Sequence, residues 1–311
     1  MQVATYKTSR WIRNREQYHV SSRGVLPDPV PERAVCLSSP FASRHYPASP
    51  RSFPFLSPLT CSSLFLAAFH INSDKTIHLN DNAPDDPMFT QMWSELGQMQ
   101  ASGIKVIGML GGAAAGTYSL LGPDDFDTYY PVLADFITEN HMDGMDLDVE
   151  QSTPISVIEN LITQLKKDFG DDFIVTLAPV ASALTEGSNL SGFDYLSLEK
   201  TMGSQISWYN AQFYSGFGSI FPDTQYVAIV NFDSGITAKR LVASVLTNPA
   251  DGDGYIDTDE VVSSVHQLTA MYGSDFGGIN GWEYFNALPN VTAPWEWAET
   301  MAAAITKGKS G

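Results

Sequence analysis

Ten residues, His141 to Glu150, read HMDGMDLDVE and hold four carboxylates: Asp143, Asp146, Asp148 and Glu150. From Asp146 onward the acids take every second position, and Met145, Leu147 and Val149 take the others. Carboxylates are costly to bury without partners, so this stretch needs one polar and one apolar side. A β-strand supplies both, because side chains two apart share a face. Asp146, Asp148 and Glu150 then line one face, and the three apolar side chains pack on the other. Neighbouring acids in a closed site cannot all ionise cheaply, so one keeps a proton. Such a face can donate and accept protons for a reacting group. A helix cap or an acidic loop would explain the acids but not their alternation. Three carboxylates could also hold magnesium or calcium; the expectation here is no metal and no cofactor.

The flanking segments say what positions this strand. SLFLAAFHIN (63–72), IKVIGMLGG (104–112), FIVTLAPV (173–180), ISWYNAQFY (206–214), RLVASVLT (240–247) and GGINGWEYF (277–285) are short apolar runs that read as buried parallel strands. Helical patterns separate them. In the first, Asp86 can cap, Pro87 fits the first turn, and Met88, Met92, Leu96 and Met99 recur at helical spacing. Phe126, Tyr130, Leu133 and Ile137 form a second stripe. A third helix is expected to be capped by Thr153 and started by Pro154, with Ile155, Ile158, Ile162, Leu165 and Phe169 inward and Gly170 at its end. Alternation of strand and helix implies a parallel sheet covered by helices. Seven strands after residue 59, in a stretch of about 250 residues, suit an α/β fold of the (β/α)8 TIM-barrel type whose first strand is not recognisable. An open doubly wound sheet is the other option, but no G-x-G-x-x-G turn is present. In a barrel, Glu150 would stand at the C-terminal mouth, where catalytic groups sit.

Composition narrows the function. The chain has 311 residues, a net charge of −18 and a pI near 4.5, which disfavours nucleic acid and acidic lipid as partners. Two cysteines, Cys36 and Cys61, make no disulfide framework or zinc motif. No apolar run is long enough to span a membrane. Residues 1–58 are basic and rich in arginine, serine and proline, and are expected to be irregular, with the catalytic domain at 59–311. Their basic start lacks the apolar core of a standard secretory signal.

The stretch DGMDLDVE resembles the D-G-x-D-x-D-x-E signature of family-18 glycoside hydrolases, the chitinases and endo-β-N-acetylglucosaminidases, at every defined position. The resemblance covers roughly residues 62–300. MLGGAAAG, TLAPVAS, WYNAQFYSGFG and GGINGWEYFN fall where this family places strands three, five, six and eight. Chitinases typically carry M-x-Y-D on strand six. Here the residues are Gln212-Phe213-Tyr214-Ser215, the Q-x-Y form of the endoglycosidases, so the chain is most similar to their fungal branch. The S-x-G-G of strand three survives as Gly111-Gly112, with Met109 in the serine's place.

The resemblance implies a retaining, substrate-assisted hydrolysis in which the substrate's own acetamido oxygen is the nucleophile. It gives Glu150 the role of general acid and then base, and Asp148 that of orienting the acetamido group and balancing its charge. Asp146 completes the acidic row, and Tyr214 hydrogen-bonds the acetamido oxygen. Glu150 is expected to hold the proton, beside Asp148 and Asp146. Trp282 would be the apolar floor under the sugar. Asn210, Gln212, Gly111, Gly112 and Tyr284 would line the substrate, with Asn286 near them. The implied substrate is the GlcNAc-β-1,4-GlcNAc core of N-glycans or another GlcNAc-containing oligosaccharide, and a monomer is expected. Chitin hydrolysis is the second reading, and an inactive sugar-binding relative the third; the presence of Glu150 speaks against the last. The resemblance and the sequons at Asn189 and Asn290 point to secretion, against the missing signal. DGDGYIDTDE (251–260) imitates a calcium loop, but Pro249 occupies the first ligand position, so an acidic exposed loop is expected instead.

Overall fold

The computed structural model describes residues 35–40 and 61–308. In chain order, its strands are β1 (Val35–Pro40), β2 (Ser63–Ile71), β3 (Ile77–Leu79), β4 (Lys105–Gly111), β5 (Gly144–Asp148), β6 (Ile174–Leu177), β7 (Trp208–Gln212), β8 (Leu241–Leu246) and β9 (Ile279–Trp282). Its helices are α1 (Thr90–Ala101), α2 (Thr117–Leu120), α3 (Phe126–Glu139), α4 (Ile155–Phe169), α5 (Tyr195–Met202), α6 (Thr224–Asn231), α7 (Thr258–Tyr272) and α8 (Trp295–Gly308). All strands but β3 pair in parallel, in the order β1, β2, β4 to β9, and β9 pairs back onto β1. The result is a closed (β/α)8 barrel. β3 pairs antiparallel with β2 and makes a hairpin at the barrel's rim. Among the described residues no helix is long and apolar enough to cross a membrane.

The first strand corrects the sequence reading. Val35–Pro40 lies inside the segment expected to be irregular, yet Leu37 stands opposite both Leu64 of β2 and Gly281 of β9. Its sequence, VCLSSP, has turn-forming chemistry at its end and no alternation. Pairing on both edges outweighs that weak local preference. The rest of residues 1–58 lies outside the described residues, as does the expected domain boundary.

Inside the barrel the alternation of each strand builds layers. Phe65, Ile107, Trp208 and Val242 form a separate buried apolar cluster, with Ile174 against it. Two residues further along their strands come the buried polar groups Thr176, Asn210 and Ser244, level with Asp146 and Asn280. The apolar plug therefore closes one end, and the polar layer opens toward the C-terminal ends of the strands. Outside the barrel, the helices bury the other faces of the strands. Met145, Leu147 and Val149 join this outer core with Ile158, Ile162 and Leu165 of α4.

Helix starts hold two local surprises. Asp86 caps as expected, accepting from Met88 N at 2.9 Å. Met88 itself is 48% exposed, and Phe89 fills the buried position, because a short 3-10 turn at 87–89 rotates the entry to α1. Thr153 does not cap α4. Its hydroxyl donates to Gln151 O and its amide to Ser191 O, tying the end of the acidic strand to the next loop. Pro154 takes the cap position, and Gly170 ends the helix at φ +87°.

Candidate active site

The acidic row runs up the inside of β5. Asp146 and Asp148 are 2% and 3% exposed, while Glu150, just past the strand, is half-buried at the mouth. The fourth acid, Asp143, serves the other end. It accepts from Lys105 Nζ, Val106 N and Gln100 Nε2, each at 2.9 Å, and pins the start of β5 to β4.

Each inward acid has its own partners. Asp146 Oδ1 accepts from the Thr176 hydroxyl and from Asn210 Nδ2 at 3.0 Å, and Trp208 Nε1 donates to Asn210 Oδ1 at 2.9 Å. Burial pushes Asp146 up to about 6, and the bonds from Thr176 and Asn210 hold it from going higher. Gln212 Nε2 lies 3.2 Å from Asp148 Oδ1, 3.2 Å from Glu150 Oε1 and 3.0 Å from Ala178 O. One amide nitrogen thus brings the two upper carboxylates together. Asp148 is driven well above the usual carboxylate range, first by burial, then by the charges of Glu150 and Asp146. Asp148 thus holds a proton more readily than a free carboxylate, beside Glu150, on which the sequence reading expects the proton that is passed.

The glycine pair opens space beside this carboxylate. Gly111 has φ +99°, and a Cβ there would lie 2.3 Å from Asp148 O. Gly112 has φ +87° and donates its amide to Asp148 O at 2.9 Å. A Cβ on Gly112 would stand 3.6 Å from Asp148 Oδ2. Below them Tyr118 donates to Leu110 O at 2.6 Å. Tyr214 follows β7 on the same face as Asn210 and Gln212. Its hydroxyl is held neutral by burial and by Asp148, Glu150 and Asp146, which makes it a hydrogen-bond donor beside the acids.

On β9, Asn280 donates to Ser244 Oγ at 3.0 Å inside the barrel, while a Cβ on Gly281 would strike Trp297 outside. By alternation Trp282 returns to the inner side, where it is partly exposed. It borders a cleft of about 1010 Å³ formed with His70, Asn72, His78, Asn80 and Ser119. Tyr284 does not join it. The strand ends at Trp282, and a 3-10 turn at Tyr284–Asn286 swings Tyr284 into the outer core, 4% exposed. Asn286 does line the cleft, and binds Asp251 through its Nδ2.

Glu150, Asp148, Asp146, Tyr214, Gln212, Asn210, Gly111, Gly112 and Trp282 therefore gather at or under one mouth. Sequence reasoning missed Thr176 and Gln151. Thr176 was accessible to the same period-two argument, two residues before Ala178. Gln151, whose side chain accepts from Gly116 N at 2.7 Å and donates to Ser119 Oγ at 3.0 Å, carried no local signal.

Comparison with known proteins places this geometry. The family model "Glycosyl hydrolases family 18" matches residues 41–280, more than half of the chain. A solved fungal endo-β-N-acetylglucosaminidase from this family is 41% identical, with a TM-score of 0.82, covering 88% of this chain and 99% of that one. A chitinase from Aspergillus fumigatus is 40% identical, with a TM-score of 0.73 and the same coverage. Endochitinase 3 of Metarhizium anisopliae is 27% identical over 161 residues, 50% of this chain and 51% of that protein. The chain spans about half the length of the curated relatives it matches.

Proposed function

The chain belongs to glycosyl hydrolases family 18, and from that premise we propose that it is an endo-β-N-acetylglucosaminidase cleaving the GlcNAc-β-1,4-GlcNAc core of N-glycans. The observation that carries this reading is Gln212, whose amide reaches both Asp148 and Glu150. It belongs to the Q-x-Y form that the resemblance ties to the endoglycosidases. The identities to the two solved relatives, 41% and 40%, do not separate the activities, so the site must. The cleft beside Trp282, about 1010 Å³, has room for a branched sugar chain.

The chemistry follows from the proton inventory. Glu150, at the mouth, protonates the glycosidic oxygen, while the acetamido oxygen of the same sugar attacks its anomeric carbon. The leaving sugar departs as an alcohol, and an oxazolinium ion remains. Positive charge growing on the acetamido group lowers the pKa of the nearest acid. That acid is Asp148, which accepts from the acetamido N–H and balances the charge, while Glu150 is left as the neighbouring carboxylate on the shared Gln212 amide. Tyr214 donates to the acetamido oxygen and aligns it for attack. In the second half, water gives its proton to Glu150 and its oxygen to the anomeric carbon, so configuration is retained. The charges titrate as a set rather than singly.

Chitin hydrolysis is the second reading, favoured by the similarity to the Aspergillus fumigatus chitinase. Incubating the wild-type chain side by side with a high-mannose glycoprotein and with chitopentaose decides between them. Release of intact glycan with one GlcNAc left on the protein supports the proposal. Cleavage of chitopentaose alone replaces it with the second reading.

A further inference from the structure

The acidic stretch after β8 forms no metal-binding cluster among the described residues. Its side chains and backbone are spent on the walls of the sugar site. Asp251 is half-buried and bonds the residue that follows Trp282: Glu283 N donates to Asp251 Oδ2 at 3.2 Å. Asn286 Nδ2 donates to Asp251 Oδ1. Thr247 Oγ1 lies 2.6 Å from Glu283 O and 3.3 Å from Asp251 Oδ2, and Thr247 N donates to Trp282 O at 2.7 Å. The peptide unit that follows Trp282, and the one after it, are therefore held from β8 and its loop.

Two residues on, the same loop reaches the neighbouring strand on the other side of β8. Ser215 N donates to Asp253 O at 2.8 Å. Gly254, at φ +88°, packs so closely that a Cβ would lie 3.0 Å from Ser215 N and 3.2 Å from Tyr214 Cα. Residues 251–254 thus span from Trp282 to Tyr214.

We propose that residues 251–254 are a brace that fixes the separation of these two walls, with Asp251 as the positioning residue for Trp282. This rests on the reading of Trp282 as the floor under the reacting sugar. A flat ring helps only if its plane is held, and small misplacements of a binding group cost rate steeply. A carboxylate suits the place because two donors, Glu283 N and Asn286 Nδ2, converge on it and it offers acceptors to both.

The test is a double-mutant cycle on the full chain, using whichever of the glycoprotein and chitopentaose the wild type cleaves. Asp251→Ala lowers kcat/KM by roughly 10- to 100-fold while leaving the thermal midpoint of the barrel within a few degrees. Asp251→Asn recovers most of the loss: it keeps one acceptor, and its amide can face Asn286 Oδ1, which has no hydrogen-bond partner among the described residues. In a Trp282→Ala background, Asp251→Ala costs less than about twofold more, because coupled residues are non-additive. Additive losses, no rescue by asparagine, or a loss matched by unfolding would overturn the brace. Trp282→Ala with full activity would overturn the floor assignment and the brace with it. Loss in Trp282→Ala but none in Asp251→Ala would overturn the brace alone.

Discussion

Asp146 and Asp148 differ from an ordinary acidic pair in their depth, and depth sets their titration. Asp146 is held near 6, above its unfolded value of 3.8. The folded state therefore binds more protons than the unfolded one between those values. Its contribution to stability is fully present below pH 3.8 and is lost as pH rises through about 6. Asp146→Asn keeps an acceptor for Thr176 and Asn210 and removes this dependence. Urea midpoints from pH 3.5 to 7.5 should fall less with rising pH in the variant, with a difference at neutral pH of roughly 3 kcal/mol at most. Parallel curves would show that Asp146 is not a buried titrating acid. Asp148→Asn separates formation of the intermediate from its use. It should lose hydrolysis but still accept a preformed sugar oxazoline, measured as product formed from that donor; failure with the donor would remove Asp148's charge-balancing role. The acids were legible from alternation alone. How far each is shifted was not, because that depends on burial and on partners from neighbouring strands rather than on spacing along one.

At the level of elements, the strands that carry the site were legible wherever period two held. The reading failed where a strand ended without a signal. Extending β9 by two residues puts Tyr284 into the site; the actual 3-10 turn puts it in the outer core. The converse failure is β1, whose VCLSSP offers neither an apolar run nor alternation. Its role is visible only from the two neighbours that lack a partner without it. Leu37→Pro tests that role, since proline removes a ladder donor in a strand paired on both sides. The expected loss is about 3 kcal/mol, read from the urea midpoint by circular dichroism. An unchanged midpoint would mean that these residues do not close the barrel.

For the whole molecule, the barrel is an arrangement of layers: an apolar plug, a hydrogen-bonded polar layer, and acids at the mouth. The acidic row can be buried because Thr176, Asn210 and Gln212, from the two strands that follow β5, meet it with donors. The fold class followed from strand and helix counts, but the cleft beside Trp282 did not, because it is assembled from four separate loops. The central claim is that Glu150 passes the proton in a substrate-assisted glycan cleavage. It is tested most directly by measuring glycan release from a high-mannose glycoprotein by the wild type and by Glu150→Gln. The account predicts release by the wild type and a loss of at least about 100-fold in the variant, with the thermal midpoint unchanged. Release by Glu150→Gln at the wild-type rate would contradict it.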